Sequence, residues 1–305
     1  MSTYVLKRLG EAVVVCFGIS LITFLLLHVA GDPVTLLLSI ESKAEDAKIL
    51  RQALGLDRPL YVQYGIFLKG LLRLDFGNSL FIREPALALV LERIPATIQL
   101  TVAGMVLAIL ISIPLGVIAA VRRYTLLDNL CTMLAVSGQA MPIFWLGLML
   151  IILFAVKWHV LPASGRGTPL HLLMPAATLG ASLAPITMRM TRSKMLDILS
   201  EDYIRTARAK GVHERLVLFR HAFLNASIPI VTILGLQFGR LLGGAIVTET
   251  VFAWPGIGSL AVSAIRNFDY PLAQAAILMM ALIVVLVNLS VDIAVGYLDP
   301  RIRFD

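Results

Sequence analysis

The residues with the most chemical potential lie in one short segment, SEDYIRTARAKGVHERLVLFRH, positions 200–221. Seven basic residues, histidines included, and three acidic ones crowd into it, although only 15% of the whole chain is charged. Their types and spacing do not make an enzyme. The histidines at 28, 159, 171, 213 and 221 include no i,i+4 pair, and His213-Glu214 lacks the second histidine of a zinc motif. No G-x-x-x-x-G-K-[ST] occurs, so the chain has no P-loop. Ser137-Gly138 is the nearest imitation of an intramembrane serine nucleophile, but the fifth and sixth apolar stretches hold no histidine to act as its base.

What the spacing supports is a short capped helix. Ser200 stands where an N-cap belongs, and Glu201 and Asp202 follow in the first turn, where the helix dipole favours negative charge. Arg208 and Lys210 fall in the last turn, and Gly211 supplies a C-terminal stop. Glu201 and Arg205 are spaced i,i+4 in the favourable order. The expected helix has about ten residues and a length of ~15 Å. A second helix is expected beyond Gly211, with Val212, Leu216, Phe219 and Phe223 on one face and Asn225, Ser227 and Pro229 marking its end. Ala207, Ala209 and Gly211 keep part of the surface low, as a segment needs if another protein is to grip its backbone. Two plainer readings stand beside docking: a loop whose charge only fixes orientation, and a polybasic patch held on anionic lipid. Neither requires a capped helix with a glycine stop.

The elements that must position this segment are membrane helices. The chain has 305 residues, 58% of them hydrophobic, and a mean hydropathy of +0.87. Six apolar stretches have about the length that crosses the ~30 Å hydrocarbon core. They run over 9–29, 98–121, 134–156, 172–188, 228–248 and 273–295; the fourth is short and contains Pro175 and Pro185. The fold class is therefore all-α and polytopic, one membrane domain over 1–305 with six transmembrane helices. The first stretch is too long for a signal-peptide core and reads as an uncleaved helix. Cys16 and Cys131 resemble neither a disulfide nor a metal pair.

The net charge of +7 does not point to nucleic acid. With the N-terminus inside, Lys7, Arg8, Arg122, Arg123, the basic 189–221 segment, Arg301 and Arg303 all fall on the cytoplasmic side. The two short outer loops hold only Lys157 and Arg166 in one and Arg266 in the other. Both termini are expected in the cytoplasm. The 30–96 segment is too long for a plain connector. It reads as a surface helix in ESKAEDAKILRQALG followed by PLYVQYGIFLKGLLRLDFG, which either lies in the membrane interface or packs as a cap over the bundle's outer end. In the fifth stretch Gly235, Gly239 and Gly243 repeat a GxxxG helix-packing pattern. Gln237 and Arg240 share that stretch. A charge at such depth costs ~2.5–3.5 kcal/mol, so Arg240 should face protein or water, either paired with a carboxylate or attracting an anionic end of a cargo. An ion-coupled secondary carrier is the competing class, but its candidate carboxylates, Glu11 and Asp292, read as helix-end charges.

The segment EDYIRTARAKG…RHAFLNASIPIVT resembles the cytoplasmic signature loop of ABC importer permeases, and more narrowly the first, B-type subunit of the dipeptide/oligopeptide (and nickel) permease family. The likeness extends to YVLKRL, GDPV, LGLDRPLYVQYGIFLKGLLRLDFGNSL, GGAIVTETVFAWPGIGSL and DPRIR. Against the general importer loop, Arg205, Thr206, Ala207 and Gly211 stand where Glu-Ala-Ala and Gly are usual, and Pro229 lies farther from the glycine. The resemblance implies the type I importer permease fold in a bacterial inner membrane. It also implies a homologous second permease, two ATPase subunits that use ATP and magnesium, and an extracytoplasmic binding protein; no cofactor would be bound by this chain. Segment 189–227 would be the ATPase-coupling loop, with Glu201, Tyr203, Arg205, Ala207, Arg208, Ala209, Gly211 and Val212 at the contact and Pro229 as hinge. Gln237 and Arg240 would lie on the pathway. Peptide is the implied cargo; nickel, glutathione and oligosaccharides are alternatives within the family.

Overall fold

A computed structural model describes residues 2–34 and 44–298. DPRIR, with Arg301 and Arg303, lies outside the described residues. The described chain is helical: α1 (Ser2–Ala30), α2 (Ala44–Ala53), α3 (Leu60–Leu71), α4 (Ala86–Val121), α5 (Leu126–Ala140), α6 (Ile143–Lys157), α7 (Pro169–Leu199), α8 (Asp202–Ala209), α9 (Glu214–Val251), α10 (Ile257–Arg266) and α11 (Tyr270–Leu298). Five of them, α1, α4, α7, α9 and α11, are long and apolar enough to cross a membrane.

The third expected span has a different form. It is divided into α5 and α6 at Met141, which is extended (φ −86°, ψ 131°) before Pro142. A proline ring disfavours helical backbone in the residue before it, so the chain turns at that point. Pro175 and Pro185, by contrast, remain inside α7. Pro185 cannot serve the carbonyl of Ala181, and Gly138 of α5 sits against that carbonyl: a Cβ at Gly138 would lie 3.3 Å from the oxygen. A glycine there gives the freed carbonyl a close neighbour in place of its lost helical bond.

The described chain divides into two compact units, one of Ser2–Thr97 with Pro255–Val285, the other of Ile98–Trp254 with Leu286–Leu298. In the first unit, Leu27, Phe76, Leu89, Val90, Ile257 and Leu272 form the heart of the core. Helix α3 packs on α1 through Tyr64 and Phe67. The Tyr64 hydroxyl is 2.9 Å from Ser20 Oγ, and the Tyr64 and Phe67 rings lie 5.2 and 6.4 Å from that of Phe24. Tyr61 stays exposed. Ser79 Oγ donates to the buried Asp269 at 2.5 Å, and Asp269 in turn accepts from the amide of Leu272 in the first turn of α11.

In the second unit, α7 starts with Thr168, whose side chain and that of His171 form a reciprocal cap, and with Pro169 in the first turn, where no amide partner is needed. Helices α4 and α7 meet closely. A Cβ at Gly180 would lie 2.6 Å from the carbonyl oxygen of Gly104, and one at Gly116 would lie 2.6 Å from Thr191 Cβ. Arg192 of α7 donates to both carboxylate oxygens of the buried Asp128 on α5, each at 2.7 Å. A two-pronged pair of this kind fixes orientation as well as distance.

Candidate functional site: the 201–225 segment and helix α9

Position 200 closes a helix and does not open one. Ser200 has helical dihedrals (φ −88°, ψ −9°), and its hydroxyl donates back to the Asp197 carbonyl at 2.7 Å. The expected cap therefore moves to Glu201 (φ −68°, ψ 148°), which makes no side-chain cap bond. Because α7 runs as far as Leu199, Ser200 and the extended Glu201 are all that separate it from α8. Helix α8 then follows and ends in the expected stop. Gly211 has φ +75°, its amide donates to Arg208 O at 2.9 Å, and the Val212 amide donates to Ala207 O at 3.2 Å. These two crossed bonds are a Schellman closure, and the left-handed backbone is the reason for the glycine.

The charged side chains pair differently from the sequence expectation. Arg205 lies 3.2 Å from Asp202, while Glu201 contributes its backbone carbonyl to the Arg205 amide. Arg208 binds Glu214 through two nitrogens, at 3.2 and 2.7 Å, and this bond holds its proton more tightly than usual. Glu201, Tyr203, Arg205, Arg208, Ala209 and Gly211 are exposed, and Ala207 and Val212 are half-buried. Ile204, fully buried, anchors α8 from beneath.

The expected separate helix after Gly211 is absent: from Glu214 to Val251 the chain is one continuous helix with a wide π-helical turn at Val217–Phe223. Asn225, Ser227 and Pro229 lie within it. Of the residues expected on one apolar face, Leu216 and Phe219 are exposed and Val212 and Phe223 half-buried, while the side turned inward is formed by Val217, Ala222, Ala226 and Ile230. The step from 217 to 222 is five residues, as a π turn demands, and the following steps are four. The Asn225 amide donates to Tyr203 Oη at 3.1 Å and to His221 O at 2.8 Å. That side chain ties α8 to α9. Sequence reading missed it, along with Ile204 and Glu214, because partners across a turn leave no periodic signal.

Farther along α9, Gln237 is buried and Arg240 exposed, with Arg240 Nη1 3.4 Å from Gln237 Oε1. Gly235 packs against Val291, and a Cβ at Gly239 would lie 2.6 Å from Asn288 Oδ1. Gly243 meets nothing within 4 Å, so the third glycine of the series makes no close approach among the described residues. Another small-residue seam was overlooked: Gly104, Ala108, Ser112 and Gly116 recur every fourth residue on α4. Beside it a cavity of about 280 Å³ lies between α4, α5 and α7, lined by Ile111, Ser112, Leu134, Gly138, Ala184 and Met188 among others. Ser112 Oγ is buried there without a hydrogen-bond partner among the described residues.

The long apolar helices, the close helix crossings and the exposed capped α8 define a class: a multi-pass helical permease with the type I importer fold. The fold is that of a chain from inward-facing structures of the MetNI methionine ABC transporter (TM-score 0.59, 18% identity, 69% of this chain and 96% of that one). The chain belongs to the binding-protein-dependent transport system inner membrane components, whose family model matches residues 112–304, with the family's N-terminal model matching 1–101. It is 43% identical to the glutathione transport system permease protein GsiC of Escherichia coli K12 over 305 residues, 100% of each chain. It is 40% identical to the dipeptide transport system permease protein DppB of the same strain over 337 aligned positions, 99% of each. The chain is thus a membrane permease component of an ABC importer, not an enzyme.

Proposed function

We propose that this chain forms half of the translocation pathway of an ATP-driven importer of short peptides, working by alternating access. The observation that carries the coupling mechanism is the Tyr203–Asn225 tie together with the Schellman turn, which makes α8 and the wide turn of α9 one mechanical piece. An ATPase gripping the exposed side of α8 would displace α9, and Pro229 offers the place to bend because it leaves the Asn225 carbonyl without its helical donor. Two ATPase subunits bind ATP and magnesium and meet residues 201–212; this chain itself holds no cofactor. A homologous second permease completes the pathway, and an extracytoplasmic binding protein delivers the cargo.

The whole chain acts as one permease domain in a bacterial inner membrane. Residues 30–96 lie outside, and both termini and residues 189–227 lie in the cytoplasm. Peptide cargo is supported by the relatives named for glutathione, itself a γ-linked tripeptide, and for dipeptides. Gln237 and Arg240 face the pathway. The test is uptake by the complete complex reconstituted in vesicles with its binding protein and internal ATP. Labelled dipeptide or glutathione should accumulate, with unlabelled short peptides competing. Accumulation of nickel or oligosaccharide that peptides do not inhibit would refute the peptide assignment.

A further inference from the structure

A pocket of about 380 Å³ opens where α4 and α7 end and α8 begins. Its polar wall carries Arg123, Arg205 and Arg208 with Glu214, and its apolar wall includes Val121 and Leu199. Arg208 is neutralised by Glu214, and Arg205 is shared with Asp202. Arg123 is exposed, lies 5.7 Å from the Tyr124 ring, and has no carboxylate within 4.0 Å among the described residues. The lining therefore has surplus positive charge beside an apolar floor. It sits where the apolar run of α4 gives way to Arg122-Arg123, the kind of boundary at which basic side chains meet lipid headgroups.

We infer that this pocket holds the phosphodiester headgroup of an anionic phospholipid from the cytoplasmic leaflet, with Arg123 as its principal ligand. A planar guanidinium matches a phosphate oxygen pair, and the glycerol and upper acyl carbons suit Val121 and Leu199. Basic pockets at the cytoplasmic ends of membrane helices favour such headgroups. A bound lipid would join the end of α4 to α8 through Arg205 and Arg208, so the membrane itself would brace the flank of the coupling helix. The inference rests on the cytoplasmic placement of α8 given above, but not on the cargo.

The experiment uses the complete purified complex, without cargo, in nanodiscs of phosphatidylcholine with or without phosphatidylglycerol. Phosphatidylglycerol should slow modification of Arg123 by a guanidinium-directed dicarbonyl, mapped by mass spectrometry, and should be retained over phosphatidylcholine in native spectra. Arg123→Gln should lower that retention about fivefold, the effect of one basic group near an anionic surface. Arg122→Gln, adjacent but outside the pocket, should leave it unchanged. Equal modification of Arg123 in both lipids overturns the inference, whatever the variants do. Equal loss in Arg122→Gln also overturns it, as the mark of a diffuse basic patch. Release of the lipid by millimolar inorganic phosphate overturns the lipid assignment in favour of a soluble anion. Because no transport is measured, failure of peptide uptake leaves this result standing.

Discussion

Replacing Gly211 tests the coupling role with graded severity. Its φ of +75° lies in the left-handed region, and a Cβ there would meet nothing within 4 Å. Gly211→Ala therefore carries only the backbone cost, about 1–2 kcal/mol, with no clash added. That lowers the population of the closed turn by a factor of roughly 5 to 30 and should weaken coupling without abolishing it. Gly211→Asn should be milder, because asparagine tolerates this conformation. Gly211→Pro is different in kind: the ring fixes φ near −65° and removes the amide that donates to Arg208 O. The Schellman closure is then lost, and with it the geometry that sets α8 against α9. The assay is co-purification of the ATPase subunits together with ATP-dependent uptake in vesicles. The expected order is glycine, asparagine, alanine, proline, with proline uncoupled yet still inserted in the membrane. Normal uptake by the Gly211→Pro complex would refute the mechanical role assigned to this turn.

Asp128→Asn breaks the two-pronged pair with Arg192 and should destabilise the protein by roughly 2–3 kcal/mol, read as a lower unfolding temperature in detergent; an unchanged temperature would count against the pair. Ser112→Ala removes a buried hydroxyl that has no partner among the described residues and should be neutral or stabilising by about 1 kcal/mol in the same assay. Arg240→Gln should leave complex assembly and basal ATP hydrolysis unchanged while reducing uptake of carboxylate-bearing peptides more than of amidated ones; equal loss for both would remove Arg240 from the pathway. In a background lacking Cys16 and Cys131, a cysteine at the exposed Ser164 should react with an impermeant thiol reagent from outside intact cells. One at Ser200 should react only after permeabilisation, and the reverse pattern would invert the topology.

Features fixed by local chemistry were legible in the sequence. Gly211, the acidic first turn and the basic last turn located α8 because each acts within one helical turn. Features set by phase or by a distant partner were not. Ser200 looks like a cap, but whether it opens a helix or closes the previous one depends on how far α7 runs. Pro142, Pro175, Pro185 and Pro229 are the same residue type; only Pro142 is accompanied by a break, and the carbonyl freed by Pro185 finds Gly138 on another helix. The inward side of α9 was not marked in the sequence, because a strict 3.6-residue period cannot anticipate one wide turn. The Asn225–Tyr203 tie spans a turn, so no spacing rule marks it. The small-residue seam of α4 was present at four-residue intervals but was hidden in a uniformly apolar run.

The π turn at Val217–Phe223 also changes how this gene can vary in length. A helix normally tolerates no single-residue deletion, because everything beyond it rotates by about 100° and turns its buried side outward. Here one residue is already surplus to the α-helical count. Removing one between Val217 and Ala222 would shorten that step from five residues to four and leave Ala222, Ala226, Ile230 and Leu234 facing the core in ordinary α-helical register. A one-residue deletion engineered at this turn should therefore keep the same buried face. The same deletion three turns later, near Gly235, would turn the glycine seam away from Val291 and Asn288. The wide turn is the place in α9 where the loss of one residue would restore the ordinary helical count.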